Sequence, residues 1–318
     1  MAMDDRPDRI DFGRLAIPSF VVVVIAFAAL RLLAIEPWVL PAFDSYAYWL
    51  TREGIDYSAT HQGATGAYLY SPAFAQLIGP LVALPWPVFL ALWTLLTALP
   101  LAWLAGRAAL PLVVLPPVFM SVALGQLDLA FAAVVLLGLR WPALWALPVL
   151  TKITPGIGLL WFLVRGEWRS LGIAAVATAV VVVASASVDP VAWGGWLAML
   201  ARMDFPELGE GLWFLPLPLG FRLFVAAALI AWGAATDRRW VLPLGVCLSL
   251  PTVWLNSPTI LVAVLPMVAA GARTPAGRWL RSALPSSVPA ARPRQVERWL
   301  LRVTMYVEGI VGTVTTGR

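Results

Sequence analysis

Long apolar runs separated by polar or Pro/Gly breaks fill most of the chain. The first run covers residues 15–35, and a polar stretch follows at 36–71. The later runs fall roughly at 72–84, 86–105, 108–122, 127–139, 142–164, 168–188, 215–236, 240–256 and 258–272. Such runs predict transmembrane helices, and those shorter than about 17 residues are typical of broken or re-entrant helices. The pattern therefore predicts an all-α transmembrane bundle of about ten spans.

Composition excludes a water-soluble domain. Hydrophobic residues make up 61% of the chain and charged residues 12%, whereas soluble domains average about 45–50% and 25%. The mean hydropathy is +0.84. A globule of this length cannot hide that much apolar surface from water, so lipid must be the solvent for most of it. The single cysteine, Cys247, excludes an intrachain disulfide.

The basic residues indicate an orientation. They cluster at the ends of the apolar runs, which is the membrane-orientation pattern and does not indicate nucleic acid. With a cytoplasmic N-terminus and ten crossings, most arginines fall inside, and the exterior keeps Arg52, Arg107, Arg140 and Arg202. The loops 36–71 and 189–214 then share the exterior face. Among the 22 basic residues Lys152 is the only lysine, and this Arg-rich, Ala-rich composition is typical of a high-GC bacterial genome. We therefore expect a multi-pass protein of a bacterial plasma membrane.

Three regions follow from this pattern. Residues 1–14 form a cytoplasmic tail, residues 15–272 the bundle, and residues 273–318 an Arg-rich cytoplasmic tail. The segment 296–314 is apolar with a few charges, so it is either an interfacial helix on the inner leaflet or part of a disordered tail.

Asp44 is the first residue with chemical potential. It lies among aromatic residues just beyond the outer end of the first span. Partial desolvation there raises the pKa of a carboxylate and makes it a better general base. The alternative role is to cap the short amphipathic stretch that begins at Ser45.

Four residues of the first loop offer further contacts: Tyr57, His61, Tyr68 and Tyr70. The aromatic rings either stack on a sugar or form an interfacial belt. His61 has two possible functional roles, which are to contact a phosphate or to relay a proton. The alternative is that His61 is a solvated surface residue.

Polar groups also interrupt the apolar runs. Gln126 and Asp128 follow Gly125, and a polar break at membrane depth is tolerated where it lines a cavity or is buried in protein. Lys152 lies near the middle of a run, where a cation needs a partner or a polar cavity. It either holds an anion such as a lipid phosphate, pairs with Asp128, or snorkels.

Common enzyme motifs are absent from the sequence. There is no Walker A loop, Rossmann glycine pattern or Gly-x-Ser-x-Gly elbow. With one histidine and one cysteine, a zinc site is not expected. We therefore expect neither a metal nor another cofactor.

Several short motifs occur in a recognisable order. They are Asp44-Ser45-Tyr46, Gly54-Ile55-Asp56-Tyr57, Tyr70-Ser71-Pro72, Leu84-Pro85, Gly125-Gln126-Leu127-Asp128 and Lys152-Ile153-Thr154-Pro155, ahead of Arg165-Gly166-Glu167-Trp168-Arg169. Together they resemble glycosyltransferase family 87 over roughly residues 40–170. The family's Tyr-Pro-Pro is replaced here by Tyr70-Ser71-Pro72, and its Gly-Gln-x-Asn by a motif ending in Asp128.

The resemblance implies a C-type glycosyltransferase fold and a specific activity. Members transfer a sugar, here expected to be mannose, from a polyprenyl-phosphate donor to a lipid or glycan acceptor on the exterior face, with inversion and without metal. Asp44 is then the general base. Substrate contacts are expected from Tyr46, Tyr57, His61, Tyr70, Gln126, Asp128, Lys152 and Arg202. Of these, Lys152, His61 and Arg202 are candidates for stabilising the departing phosphate.

Two other classes of function fit the same composition. A transporter or lipid flippase also has intramembrane charges and broken helices, although it usually has internal repeats, and none is clear here. A membrane scaffold that has lost activity is the third possibility, and the presence of Asp44 argues against it.

Overall fold

The computed structural model describes residues 12–33, 42–58, 60, 62–203, 215, 217–268 and 274–283. His61 and the segment 296–314 lie outside these residues. Within them all regular structure is helical. The α-helices are α1 (Phe12–Arg31), α2 (Phe43–Leu50), α3 (Pro72–Val82), α4 (Trp86–Ala98), α5 (Pro100–Ala105), α6 (Ala109–Val113), α7 (Pro116–Leu124), α8 (Asp128–Leu137), α9 (Ala146–Lys152), α10 (Leu160–Arg165), α11 (Trp168–Val188), α12 (Pro190–Arg202), α13 (Leu219–Ala235), α14 (Val241–Leu248) and α15 (Pro275–Ala283). Short 3₁₀ segments cover Thr51–Glu53, Gly106–Ala108, Pro142–Trp145, Thr154–Leu159 and Ser257–Met267.

Two helical segments of the described residues are long and apolar enough to cross a membrane. They are the continuous stretch Trp86–Val113 and helix α11, with mean hydropathies of 2.0 and 2.3. The pair α7 and α8, bent by 103°, makes a third if it counts as one span. The all-α class is therefore confirmed, whereas the ten spans expected from the sequence are not.

Helix α11 exposes an apolar surface. Only 11% of its most apolar window is buried within the protein, and Val176, Val180 and Val183 are 63%, 61% and 69% exposed. Valines on the outside of a helix with no charged face need an apolar solvent. Lipid supplies that solvent, so the chain is that of a membrane protein.

Three helical hairpins meet with their tips around one cavity. The first joins α7 to α8 through Gln126, the second joins α9 to α10 after Lys152, and the third joins α14 to the segment Ser257–Met267 through residues 251–256. Gly125 makes the first turn possible, because its φ of 80° is left-handed and a side chain there would collide with Ser45. Polar residues at these tips therefore lie beside a cavity, which is one of the two environments expected for the break at Gly125.

Helix α3 does not run between the two ends of the bundle. Its 11 residues measure about 16 Å, short of the roughly 30 Å of a hydrocarbon core. Both its ends lie near the cavity, because Ser71 N donates to Leu150 O and Trp49 Nε1 donates to Leu84 O. The runs 72–84 and 86–105 are thus not two equivalent spans.

The end of the bundle opposite the cavity carries the tail helix α15. The Trp279 ring packs against Trp103 and Trp141, with centroids 5.9 and 5.5 Å apart. Arg107 and Arg140 adjoin these contacts in sequence. They therefore lie at the same end as α15, and the sequence-based assignment of these two arginines to the face opposite the tail is wrong. The run 72–84 was counted as a crossing, but α3 does not cross the bundle, and this miscount reversed the sides of Arg107 and Arg140. The run 142–164, counted as one crossing, is the second hairpin.

The predicted loop 189–214 begins with helix α12. Asp189 caps it, since its Oδ1 accepts a hydrogen bond from Ala192 N at 2.8 Å, and Pro190 occupies the first turn. The helix packs on the first loop: Trp196 Nε1 donates to Leu69 O at 3.2 Å. A regular helix therefore covers the cavity from this side.

Candidate functional site

One cavity of about 570 Å³ collects residues from all three hairpin tips, from α2 and from α12. Its polar lining includes Asp44, Tyr70, Gln126, Lys152 and Asn256. Apolar residues complete it, among them Phe43, Met120, Leu124, Trp196, Leu200, Met203 and Trp254. A mostly apolar cavity with a few convergent polar groups is the usual form of a small-molecule site.

Asp44 reaches the cavity from the first turn of α2. The N-cap position belongs to Ala42, which makes no side-chain cap hydrogen bond, so Asp44 is not the N-cap. Tyr48 lies one turn later and lines the same cavity, because residues four apart share one face of a helix. The other side of α2 is anchored by Trp49 and by Ser45, whose hydroxyl donates to Leu124 O at 3.3 Å.

The environment of Asp44 gives it the proton affinity of a base that works near neutral pH. The pKa of Asp44 is raised to about 7, chiefly by burial, and the charge of Asp128 contributes to this rise. Lys152 and a hydrogen bond from Gln126 lower that pKa and so limit the rise. A carboxylate with a pKa near the working pH is suited to take a proton in catalysis.

Lys152 ends α9 at the second hairpin tip. Its ammonium hydrogen-bonds the Tyr70 hydroxyl and lies 5.9 Å from the Tyr70 ring and 5.5 Å from the Phe131 ring. Among the ion pairs of the described residues none involves Lys152. The next residue, Ile153, has φ 54° and ψ −63°, a strained γ-turn that is unusual for a β-branched side chain. This turn reverses the chain and leaves the ammonium at the cavity.

Asp128 was expected to contact substrate, but its side chain does not reach the cavity. Its side chain is fully buried and is not part of the cavity lining. Its Oδ2 accepts hydrogen bonds from Ser121 Oγ at 3.0 Å and from Asn256 Nδ2 at 2.7 Å. These donors surround Asp128 with protein, so it does not itself contact a ligand in the cavity.

Three tyrosines of the first loop form one buried network. The Tyr48 hydroxyl donates to the Tyr70 hydroxyl at 3.1 Å, and the Tyr57 hydroxyl donates to Tyr70 O at 2.7 Å. Burial raises the pKa of the Tyr48 and Tyr70 hydroxyls. Both hydroxyls therefore stay protonated and do not act as bases.

Other expected contacts lie away from the cavity lining. Tyr46 packs edge-on against Trp86, with centroids 5.9 Å apart. Tyr57 is buried beneath Gly195 of α12, where a larger residue would touch its ring. Arg202 donates to the Tyr57 carbonyl at 3.3 Å. These three support the walls, whereas Asp44, Tyr70, Gln126 and Lys152 come together in the cavity.

Residues of the third hairpin escaped the sequence analysis. Asn256 contacts Asp128 across 128 positions of sequence, and Thr252 Oγ1 accepts from Gln62 Nε2 at 2.6 Å across 190. Both follow an apolar run without a recognisable motif. The signal that was present is the polar cluster Thr252, Asn256, Ser257 and Thr259 within otherwise apolar sequence.

The comparison with known proteins bears on this geometry. Residues 68–209 match the family model of glycosyltransferase family 87. The resemblance seen in the sequence is thereby confirmed over that segment, which contributes the first two hairpin tips and α12 to the cavity. Asp44 and the third hairpin lie outside it. No curated protein and no solved structure matches the chain.

The match to family 87 indicates a coarse function. Together with the exposed apolar helices it supports a membrane glycosyltransferase, an enzyme that has a sugar donor and an acceptor. The matched segment carries Lys152, Gln126 and Tyr70, three of the four expected residues that converge on the cavity.

Proposed function

We propose that the protein transfers a hexose, mannose, from a polyprenyl-phosphate donor to a hydroxyl of a lipid or glycan acceptor, with inversion. The observation that carries the proposal is that Asp44 and Lys152 line one cavity and interact electrostatically within it. A basic carboxylate and a cation in the same enclosed site match the two charge demands of this reaction.

The reaction assigns each group a role. The acceptor hydroxyl loses its proton to the Asp44 carboxylate while its oxygen forms a bond to the anomeric carbon. The bond from that carbon to the phosphate oxygen breaks on the opposite face, which inverts the configuration. The departing phosphate takes the electron pair, and the Lys152 ammonium stabilises its charge. Gln126, which hydrogen-bonds Asp44, holds the carboxylate in position.

The proposed orientation places the cavity at the exterior face. The opposite end carries Arg107, Arg140, Arg165 and the arginines of α15, which suits the cytoplasmic side. The ten crossings then correspond to α1, the stretch from α4 to α6, α11, α13 and the six arms of the three hairpins. Hairpin tips at membrane depth are compatible with lipid only because they line the cavity.

A transfer assay tests the proposal. Purified protein is incubated with radiolabelled polyprenyl-phosphate mannose and a membrane lipid extract, and the expected result is a labelled product that chromatographs apart from the donor. Flux of labelled lipid across a proteoliposome membrane without any new product would favour the flippase alternative. Absence of both transfer and flux would leave the scaffold as the best description.

A further inference from the structure

Asn256 lines the cavity but has no role in the reaction scheme above. It precedes the 3₁₀ segment Ser257–Met267 of the third hairpin and is 4% exposed. Its side-chain nitrogen, Nδ2, donates a hydrogen bond to Asp128 Oδ2 at 2.7 Å. Asp128 is 0% exposed and is not part of the cavity lining. The nitrogen of the Asn256 amide is therefore turned toward buried protein and away from the cavity.

The orientation of this amide follows from the group that it meets. The same oxygen of Asp128 accepts a second hydrogen bond, from Ser121 Oγ at 3.0 Å. An oxygen that acts as an acceptor in this way pairs with the NH₂ group of an amide and not with its oxygen. Among the described residues no donor reaches Asn256 Oδ1, and protein does not enclose this atom. The amide oxygen is therefore the polar part of Asn256 that remains available at the cavity.

The chemistry of an amide oxygen restricts what can bind there. It only accepts hydrogen bonds, so its partner must carry a proton. The phosphodiester of a polyprenyl-phosphate sugar is ionised at neutral pH and has no such proton. The acceptor hydroxyl gives its proton to Asp44 in the proposed reaction. The hydroxyls of the transferred sugar are the donors that remain.

We infer that Asn256 is a specificity-determining residue whose side-chain oxygen accepts a hydrogen bond from one hydroxyl of the transferred sugar. The inference rests on the proposed function, because it requires a sugar in this cavity. It brings sugar recognition to the third hairpin, which lies outside the segment 68–209 matched to family 87. A sugar that lacks this hydroxyl leaves a buried acceptor unpaired and therefore binds more weakly.

Deoxygenated donors test the contact one hydroxyl at a time. Binding to the purified full-length protein in detergent is measured for polyprenyl-phosphate mannose, for forms of it that each lack one sugar hydroxyl, and for polyprenyl phosphate. The wild type should bind one deoxy donor about fivefold more weakly than the parent donor, as expected for loss of a neutral hydrogen bond. This difference should vanish in Asn256→Leu, which keeps the branched shape of the side chain, because the hydroxyl then has no partner to lose.

Two further variants separate the contact from a disturbance of the fold. Ser121→Ala removes the other donor to Asp128 and leaves Asn256 in place, so the deoxy donor should still bind about fivefold more weakly than the parent donor. The double variant Asp128→Leu with Asn256→Leu replaces both partners of the buried contact, which folding tolerates better than the loss of one partner. This double variant decides in place of Asn256→Leu if the single variant does not accumulate.

The inference would be overturned if Asn256→Leu kept the wild-type difference for every deoxy donor. It would also be overturned if Asn256→Leu lost affinity equally for polyprenyl phosphate and polyprenyl-phosphate mannose, because Asn256 would then be a structural support. A wild type that binds polyprenyl-phosphate mannose no better than polyprenyl phosphate would contradict both the inference and the proposed donor. The expected binding pattern in a protein that transfers no sugar would support the inference and contradict the proposed transfer.

Discussion

The Arg222 guanidinium donates from Nη2 to the main-chain carbonyl oxygen of Pro251 at 2.6 Å, and Pro251 lines the cavity. Arg222 also donates to the carbonyls of Leu217, Leu248 and Leu250. It is 4% exposed. A single buried side chain of α13 therefore satisfies several carbonyls at the third hairpin tip and fixes its shape.

Replacing Arg222 should destabilise the protein. Arg222→Leu removes the donor of four carbonyl oxygens, of which that of Leu250 is buried and the others are partly buried, and we expect a loss of about 3 kcal/mol in the free energy of unfolding. Thermal unfolding in detergent measures it. The control Arg238→Leu removes an exposed arginine that lies 5.1 Å from the Trp232 ring centroid and should change the midpoint little. Equal effects of the two variants would show that Arg222 does not brace the tip.

Gly125→Ala should also be destabilising. A Cβ at this position would collide with Ser45 Oγ and come within 3.0 Å of the Trp93 ring, and φ is 80°. Strain and overpacking together cost about 2–4 kcal/mol. The cost should be smaller when Ser45→Gly is already present, because the colliding atoms are gone. The same cost in both backgrounds would contradict the close approach of α2 to the first hairpin.

The pH dependence of transfer should depend on Lys152. The base form of Asp44 is the ionised one, so kcat/KM should rise with pH through its pKa of about 7 and then level off. Lys152 lowers that pKa. Lys152→Met should therefore move the rising limb to higher pH, besides weakening donor binding. The exposed Arg202 does not interact with Asp44, so Arg202→Met should leave the limb in place. If kcat/KM rises at the same pH in Lys152→Met as in the wild type, Lys152 does not influence the ionisation of Asp44.

Cysteine labelling tests the orientation. With Cys247 replaced by serine, we expect an impermeant maleimide to label Glu53→Cys in intact cells and to leave Arg107→Cys unlabelled. Both positions are exposed and lie near opposite ends of the bundle. The reverse pattern would place the cavity in the cytoplasm, and a donor displayed outside would then be out of reach.

The sequence predicted the all-α class and the apolar runs, because lipid imposes a simple pattern on spanning helices. The break at Gly125 was located correctly, since a left-handed glycine followed by a polar residue stands out in an apolar run. The hairpin within 142–164 was missed because the strained turn is at Ile153, an apolar residue. Helix α12 was also missed, although Asp189 and Pro190 are typical of a helix start.

Long-range contacts account for the rest of what escaped prediction. Asp44, Gln126 and Lys152 were each identifiable as polar groups at a membrane boundary or within an apolar run. Their convergence with Asn256 depends on the packing of α8 against the segment Ser257–Met267, which no local pattern encodes. For the same reason the buried position of Asp128 could not be distinguished from a cavity position by its spacing.

The central claim is that Asp44 takes the proton of the acceptor hydroxyl, and Asp44→Asn tests it most directly. Asparagine keeps the size of the side chain and removes its basicity. The matched control is Glu53→Gln, which neutralises an exposed carboxylate of the same loop in a surface ion pair with Arg52.

The measurement is the rate at which purified Asp44→Asn transfers sugar from radiolabelled polyprenyl-phosphate mannose, with donor binding followed in parallel. We expect normal donor binding, transfer at least about a hundredfold slower than wild type, and wild-type transfer in Glu53→Gln. Transfer by Asp44→Asn within a few-fold of the wild-type rate would contradict the assignment of Asp44 as the base.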